Sequence, residues 1–111
     1  MNLRQAAPWF GKLIRRPRLS GVTEVASMND VPEKLGAKIY IVRRGGRERR
    51  AVLACPCRCG TRIDVSLMAS HNPHWTVEIR DGRISLYPSI WLLQDTCQSH
   101  FLIRRNRFIW V

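Results

Sequence analysis

Apolar and polar positions alternate with a period of two through much of the second half of this chain. Ile63, Val65 and Leu67 alternate with Arg62, Asp64 and Ser66. Trp75, Val77 and Ile79 alternate with Thr76, Glu78 and Arg80, and Ile84 and Leu86 with Arg83 and Ser85. A period of two sends successive side chains to opposite faces of an extended strand, so each run predicts a strand with one buried face. Lys38-Ile39-Tyr40-Ile41-Val42 is β-branched and aromatic, and Ala51 to Ala54, Phe101 to Ile103 and Phe108 to Trp110 are short apolar runs. These read as further strands. Gly45-Gly46, Asp81-Gly82 and Arg105-Asn106 each separate two such runs, and all three pairs suit the positive φ of a two-residue hairpin. Ser20 to Leu35 reads as irregular, apart from one helical turn over Asp30–Gly36. No long helical period follows Gly36. The pattern predicts an all-β antiparallel domain over residues 25–111, zinc-ribbon-like or a compact sandwich. Residues 1–24 read as a basic extension, with one short helix that Pro8 starts and Pro17 ends.

At 111 residues the chain has room for one domain, burying about two thirds of its unfolded surface. Domains this small commonly need a staple, and four cysteines offer one. No apolar run approaches the roughly 20 residues that span a bilayer. The N-terminus lacks a secretory pattern, so a cytoplasmic location is expected. There, clustered cysteines bind metal more often than they form disulfides.

Cys55-Pro56-Cys57-Arg58-Cys59-Gly60 and Cys97-Gln98-Ser99-His100 supply the ligands. Short chelating spacings lower the entropic cost of gathering four donors about one tetrahedral zinc. Cys55, Cys57, Cys59, Cys97 and His100 are five candidates for four places. An extended chain puts Cys55, Cys57 and Cys59 on one side, so either Cys57 or Cys59 is expected to be spare, unless His100 is. The ion is read as one structural zinc. A catalytic metal would need an open position and a carboxylate base, and the nearest, Asp64 and Asp95, stand in no such motif. A cysteine nucleophile beside Arg58 is the other chemical alternative. His71 and His74, in a turn-rich stretch, read as surface histidines.

The cysteine cluster, the segment Tyr87-Pro88-Ser89-Ile90-Trp91 and the run Cys97-Gln98-Ser99-His100-Phe101-Leu102-Ile103-Arg104 together resemble a small bacterial and phage family of unknown function. Its members carry a CPCGCG-like cluster, a PS-[IV]-like segment, a C-x-SH-[FY]-x-I-like segment and a closing hairpin ending in tryptophan. Val31-Pro32-Glu33-Lys34-Leu35 and Ile39-Tyr40-Ile41 resemble its opening, so the likeness covers roughly residues 25–111. It implies a zinc-binding β domain. It also implies a setting, since some members are encoded beside ubiquitin-like proteins and ubiquitin-activating and ubiquitin-conjugating enzyme homologues in phage-defence operons. Arg58 departs from the family's usual glycine, Arg105-Asn106 from its Asn-Gly or Asp-Gly turn, and Gln98 from a basic residue.

The formal net charge is +11. Residues 1–60 hold 13 basic and 4 acidic side chains, and residues 61–111 hold 6 and 4. Arg43, Arg44, Arg47, Arg49 and Arg50, around Gly45-Gly46, are the expected partner-binding residues, with Arg104, Arg105 and Arg107 a second patch. Arginine forks pair with carboxylates or phosphates. The expected partner is an acidic protein, such as a ubiquitin-activating or ubiquitin-conjugating enzyme homologue. The resulting expectation is a non-catalytic zinc-binding adaptor in a ubiquitin-like conjugation or phage-defence pathway. The alternative is a nucleic-acid-binding zinc module using the arginine-rich hairpin. No catalytic residues are expected.

Overall fold

The computed structural model describes residues 18–92 and 97–111. The helix expected between Pro8 and Pro17 lies outside them. Among the described residues the strands are β1 Gly21–Val25, β2 Lys38–Arg44, β3 Arg47–Ala54, β4 Arg62–Ser66, β5 Thr76–Arg80, β6 Arg83–Trp91, β7 His100–Arg104 and β8 Arg107–Trp110. They form two four-stranded sheets, ordered β1-β2-β3-β4 and β5-β6-β7-β8. The molecule is therefore all-β, in its sandwich form. No helix among the described residues is long and apolar enough to cross a membrane.

The three predicted hairpins are present. Gly45 and Gly46 turn at φ 61° and 75°, Asp81 and Gly82 at 52° and 74°, and Arg105 and Asn106 at 50° and 69°. These turns match the right-handed twist of the strands they join. Asn106 also caps its neighbourhood, since its Oδ1 accepts a hydrogen bond from Ile84 N at 2.7 Å.

The inner faces of both sheets share one core. Ile39, Ile41, Ala51, Leu53, Ile63 and Val65 of the first sheet meet Ile84, Leu86, Ile90, Phe101, Ile103 and Phe108 of the second. Tyr40, Val42 and Val52 point to the opposite face of the first sheet, where Val31 and Leu35 cover them. Because β2 is buried on both faces, it reads as an unbroken apolar run rather than an alternating one.

The structure departs from the sequence expectation in the first forty residues. Gly21–Val25, expected to be irregular, is a strand pairing parallel to β2, with Val22 opposite Ile39 and Val25 opposite Val42. A parallel pair needs a crossover of about a dozen residues. Residues 26–37 provide it and carry Val31 and Leu35 over the outer face. The helical turn sits at Met28–Asp30, capped by Ser27, whose side chain accepts from Asn29 N. It therefore starts earlier than the expected Asp30 cap.

One irregularity positions the site described next. Leu86 faces Ile103 and Ile90 faces Phe101, so four steps along β6 match two along β7. The surplus bulges out at Tyr87, Pro88 and Ser89. Pro88 has no N–H to give to a ladder, which suits an unpaired stretch.

Candidate functional site

Ser89 Oγ lies 2.8 Å from His100 Nε2. The two residues are eleven apart in sequence, and β6–β7 pairing brings them together. Trp91 is registered directly opposite His100. Ser89 lies two residues before Trp91, so it shares Trp91's face of the strand and sits diagonally across from His100. Ile90 and Phe101, the intervening residues, point into the core. The result is a hydroxyl, an imidazole and an indole grouped on the outer face. The Trp91 ring stacks on the imidazole, with centroids 5.0 Å apart and planes 13° apart. Trp75 Nε1 donates to the Ser89 carbonyl at 3.2 Å, which ties the bulge down from the other side.

The tautomer of His100 decides which way the hydroxyl bond runs. With Ser89 Oγ–H as donor, Nε2 presents its lone pair and the ring proton resides on Nδ1. That is the tautomer a general base needs to take a serine proton. Among the described residues no carboxylate pairs with His100. The stacked indole holds the ring instead, and an aromatic face also favours the imidazolium that proton transfer creates.

Beside this pair stands the sulfur cluster. The Sγ atoms of Cys55, Cys57, Cys59 and Cys97 all lie within 4.8 Å of one another. Cys55 is 3.3 Å from Cys57 and 3.5 Å from Cys97. Zinc–sulfur bonds of about 2.3 Å at tetrahedral angles separate the sulfurs by about 3.8 Å, so four thiolates at this spacing fit one closed site. All four cysteines are unbridged. Positive φ at Arg58 (68°) and Gly60 (88°) curls the 55–60 segment, so that Cys57 and Cys59 need not stay on one side of an extended strand. His100 stands outside this group, its Nε2 turned to Ser89. The Ser99 hydroxyl, 3.0 Å from Cys97 Sγ, holds that thiol down at about 6. Burial pushes Cys55 up to about 12, and the Thr61 hydroxyl lowers Cys59. Ser99 also lies 3.7 Å from Cys55 Sγ. Cys97 and Ser99 thus lead from the sulfur cluster into the first residue of β7, which is His100.

A family model described as the bacterial ubiquitination-like system serine protease (BubE) matches residues 27–111. This chain belongs to the BubE family. No curated protein and no solved structure matches it. The BubE description corrects the expectation of a non-catalytic adaptor, its nucleic-acid-binding alternative and the leaning against an enzyme. Ser89 and His100, which the sequence reading did not bring together, stand in two separate segments. Their proximity depends on a strand pairing and a bulge, neither of which the spacing reveals. The available signal was that two of the segments carrying the resemblance, around Ser89 and around Ser99-His100, hold a hydroxyl or an imidazole.

The remaining residues singled out in the sequence are placed as follows. Arg43 pairs with Glu48 at 2.7 Å and Glu24 at 3.3 Å, and Arg50 pairs with Asp64 at 2.5 Å. Arg49 is half-buried, with Nη1 against Met68 Sδ, and only Arg44 and Arg47 are fully exposed in that hairpin. His71 Nδ1 is 2.6 Å from Ser66 Oγ, a second serine–histidine contact. There, Ser66 is buried and already accepts from Met68 N, and His71 lies in the loop that follows β4. The Ser66 hydroxyl serves the loop backbone rather than an exposed face.

Proposed function

We propose that this chain is a serine protease acting in a bacterial ubiquitination-like system, with Ser89 as nucleophile and His100 as general base. The observation that carries the reading is the 2.8 Å contact between Ser89 Oγ and His100 Nε2 on the outer face of the second sheet. The BubE family description supports the reaction class.

His100 Nε2 takes the hydroxyl proton as Oγ attacks the scissile carbonyl carbon. The tetrahedral adduct collapses, the C–N bond breaks, and the departing amine takes the proton from Nε2. Water then attacks the acyl-Ser89 ester, with the same nitrogen accepting its proton. Collapse of that second adduct returns the proton to Ser89 Oγ and frees the acid. Trp91 stabilises the imidazolium formed in both halves, and Trp75 fixes the carbonyl of Ser89, so Oγ stays aimed at Nε2.

The four cysteines are proposed to hold one zinc. A zinc closed by four thiolates supplies folding energy and rigidity, not an open position for chemistry. Its place in the reaction is indirect, since Cys97 anchors the chain three residues before His100.

The test incubates wild-type and Ser89→Ala protein with the components of the ubiquitination-like system from the same genome and reads new protein termini by mass spectrometry. Cleavage by the wild type alone is expected. Cleavage that persists in Ser89→Ala would refute the assignment.

A further inference from the structure

At the hairpin end of the second sheet, away from the serine–histidine pair, lies a groove of about 760 Å³ lined by Arg18, Arg83, Arg104, Arg105 and Arg107 together with Ser20. The backbone builds it. Arg18 bridges to Arg107, Leu19 N donates to Asn106 O at 2.6 Å, and Arg105 N donates to Ser85 Oγ at 3.0 Å. No carboxylate pairs with any of the five arginines among the described residues. This contrasts with the β2–β3 hairpin, where Arg43 and Arg50 are neutralised within the fold. Residues 1–17 contain no acidic residue, so that segment brings no counter-charge to the groove.

The groove shares a face with the reactive pair. Along β7 the buried positions are Phe101 and Ile103, so His100, Leu102 and Arg104 point outward together. His100 and Arg104 are four residues apart, about 13 Å along a strand. Arg104 sits 4.0 Å over the Tyr87 ring and donates to Leu86 O at 2.7 Å, which fixes its guanidinium beside the bulge that carries Ser89. An extended polypeptide with its scissile bond at Ser89 reaches the groove after about four residues.

We propose that this groove binds an acidic segment of the polypeptide that the protease acts on, a run of carboxylates about four or five residues from the bond cut. Five guanidinium groups without a carboxylate partner among the described residues suit carboxylates, which they grip in bidentate pairs. No aromatic ring lines the groove, so it has no platform for stacked bases, and this favours acidic polypeptide over nucleic acid. The proposal that the bound segment belongs to a substrate rests on the protease reading; the capture of acidic peptide does not.

The experiment is fluorescence anisotropy with the full chain and a fluorescein-labelled hexaglutamate peptide, with labelled hexaglutamine and a single-stranded hexathymidylate as comparators. Hexaglutamate binds and hexaglutamine does not, and the affinity falls as salt rises. The double variant Arg105→Asn, Arg107→Gln removes two charges while asparagine keeps the positive-φ turn, and weakens binding about tenfold or more. The double variant Arg44→Gln, Arg47→Gln in the other hairpin changes it less than about twofold. Equal losses in the two double variants, or tighter binding of hexathymidylate, would overturn the proposal. Groove-dependent binding by a chain whose Ser89 proves unreactive would uphold the groove while removing the protease reading.

Discussion

In the proposed mechanism Ser89 Oγ acts as a nucleophile only while His100 Nε2 keeps its lone pair turned towards it. Ser89→Ala is expected to abolish turnover while leaving the melting temperature nearly unchanged, because it deletes one half-exposed hydroxyl. His100→Ala is expected to lower kcat/KM by about 10³-fold, the usual cost of losing a positioned general base, measured on whichever protein the wild type cleaves. Arg58 offers a different test at the same scale. It stands at φ 68°, where a side chain crowds its own backbone and glycine does not. Arg58→Gly is therefore expected to stabilise the chain by about 0.5–1 kcal/mol, after allowing for glycine's greater freedom when unfolded. Equilibrium urea unfolding reads that difference. Arg105 and Asn106 also depart from the family's turn residues, yet Asn106 gains a bond to Ile84 N that a glycine would forfeit.

Strands and their turns were legible because each is written locally. Period-two alternation marks β4, β5 and the first half of β6, and paired positive-φ residues mark the three hairpins. What was not legible depends on contacts between distant segments. β1 is a five-residue strand whose parallel partner lies across a crossover, and the second half of β6 continues past a proline by bulging. Ser89 sits in that second half, so the element hidden from local reading also carries the proposed nucleophile. At this scale the shared core makes its own prediction. Phe101 is fully buried, with Phe108 and Trp110 edge-on at 5.5 and 5.8 Å. Phe101→Ala should cost about 3–5 kcal/mol, a large share of the roughly 5–15 kcal/mol typical of a small domain. Thermal unfolding followed by far-ultraviolet circular dichroism would register it as a fall in midpoint.

For the molecule as a whole, the sulfur cluster makes folding depend on pH, and the proposed zinc would couple it to metal. In the metal-free chain the Cys97 pKa is depressed from 9.0 to about 6. Its contribution to stability is therefore present above about 9 and is lost as pH falls through 6. Cys55 is raised from 9.0 to about 12, so its contribution is present below about 9 and is lost as pH rises towards 12. The two together place the metal-free optimum near pH 9 as far as these thiols decide it. Metal binds thiolates, so uptake of the proposed zinc at neutral pH would release protons, Cys55's above all, and its apparent affinity would rise with pH. Calorimetric titration of zinc in two buffers of different ionisation heat should report at least about one proton released per ion. Chelation should lower the melting temperature, and turnover with it, because the proposed zinc clamps Cys97 three residues before His100.

Labelling with a fluorophosphonate probe, followed by peptide mapping in a mass spectrometer, reads the proposed activation of Ser89 by His100 directly. Such a probe phosphonylates a serine only where a neighbouring base activates it, with fluoride leaving. The expected result is a single adduct on Ser89 in the wild type, none in Ser89→Ala and strongly slowed formation in His100→Ala. An adduct on Ser66 instead, or undiminished labelling of Ser89 without His100, would contradict the account.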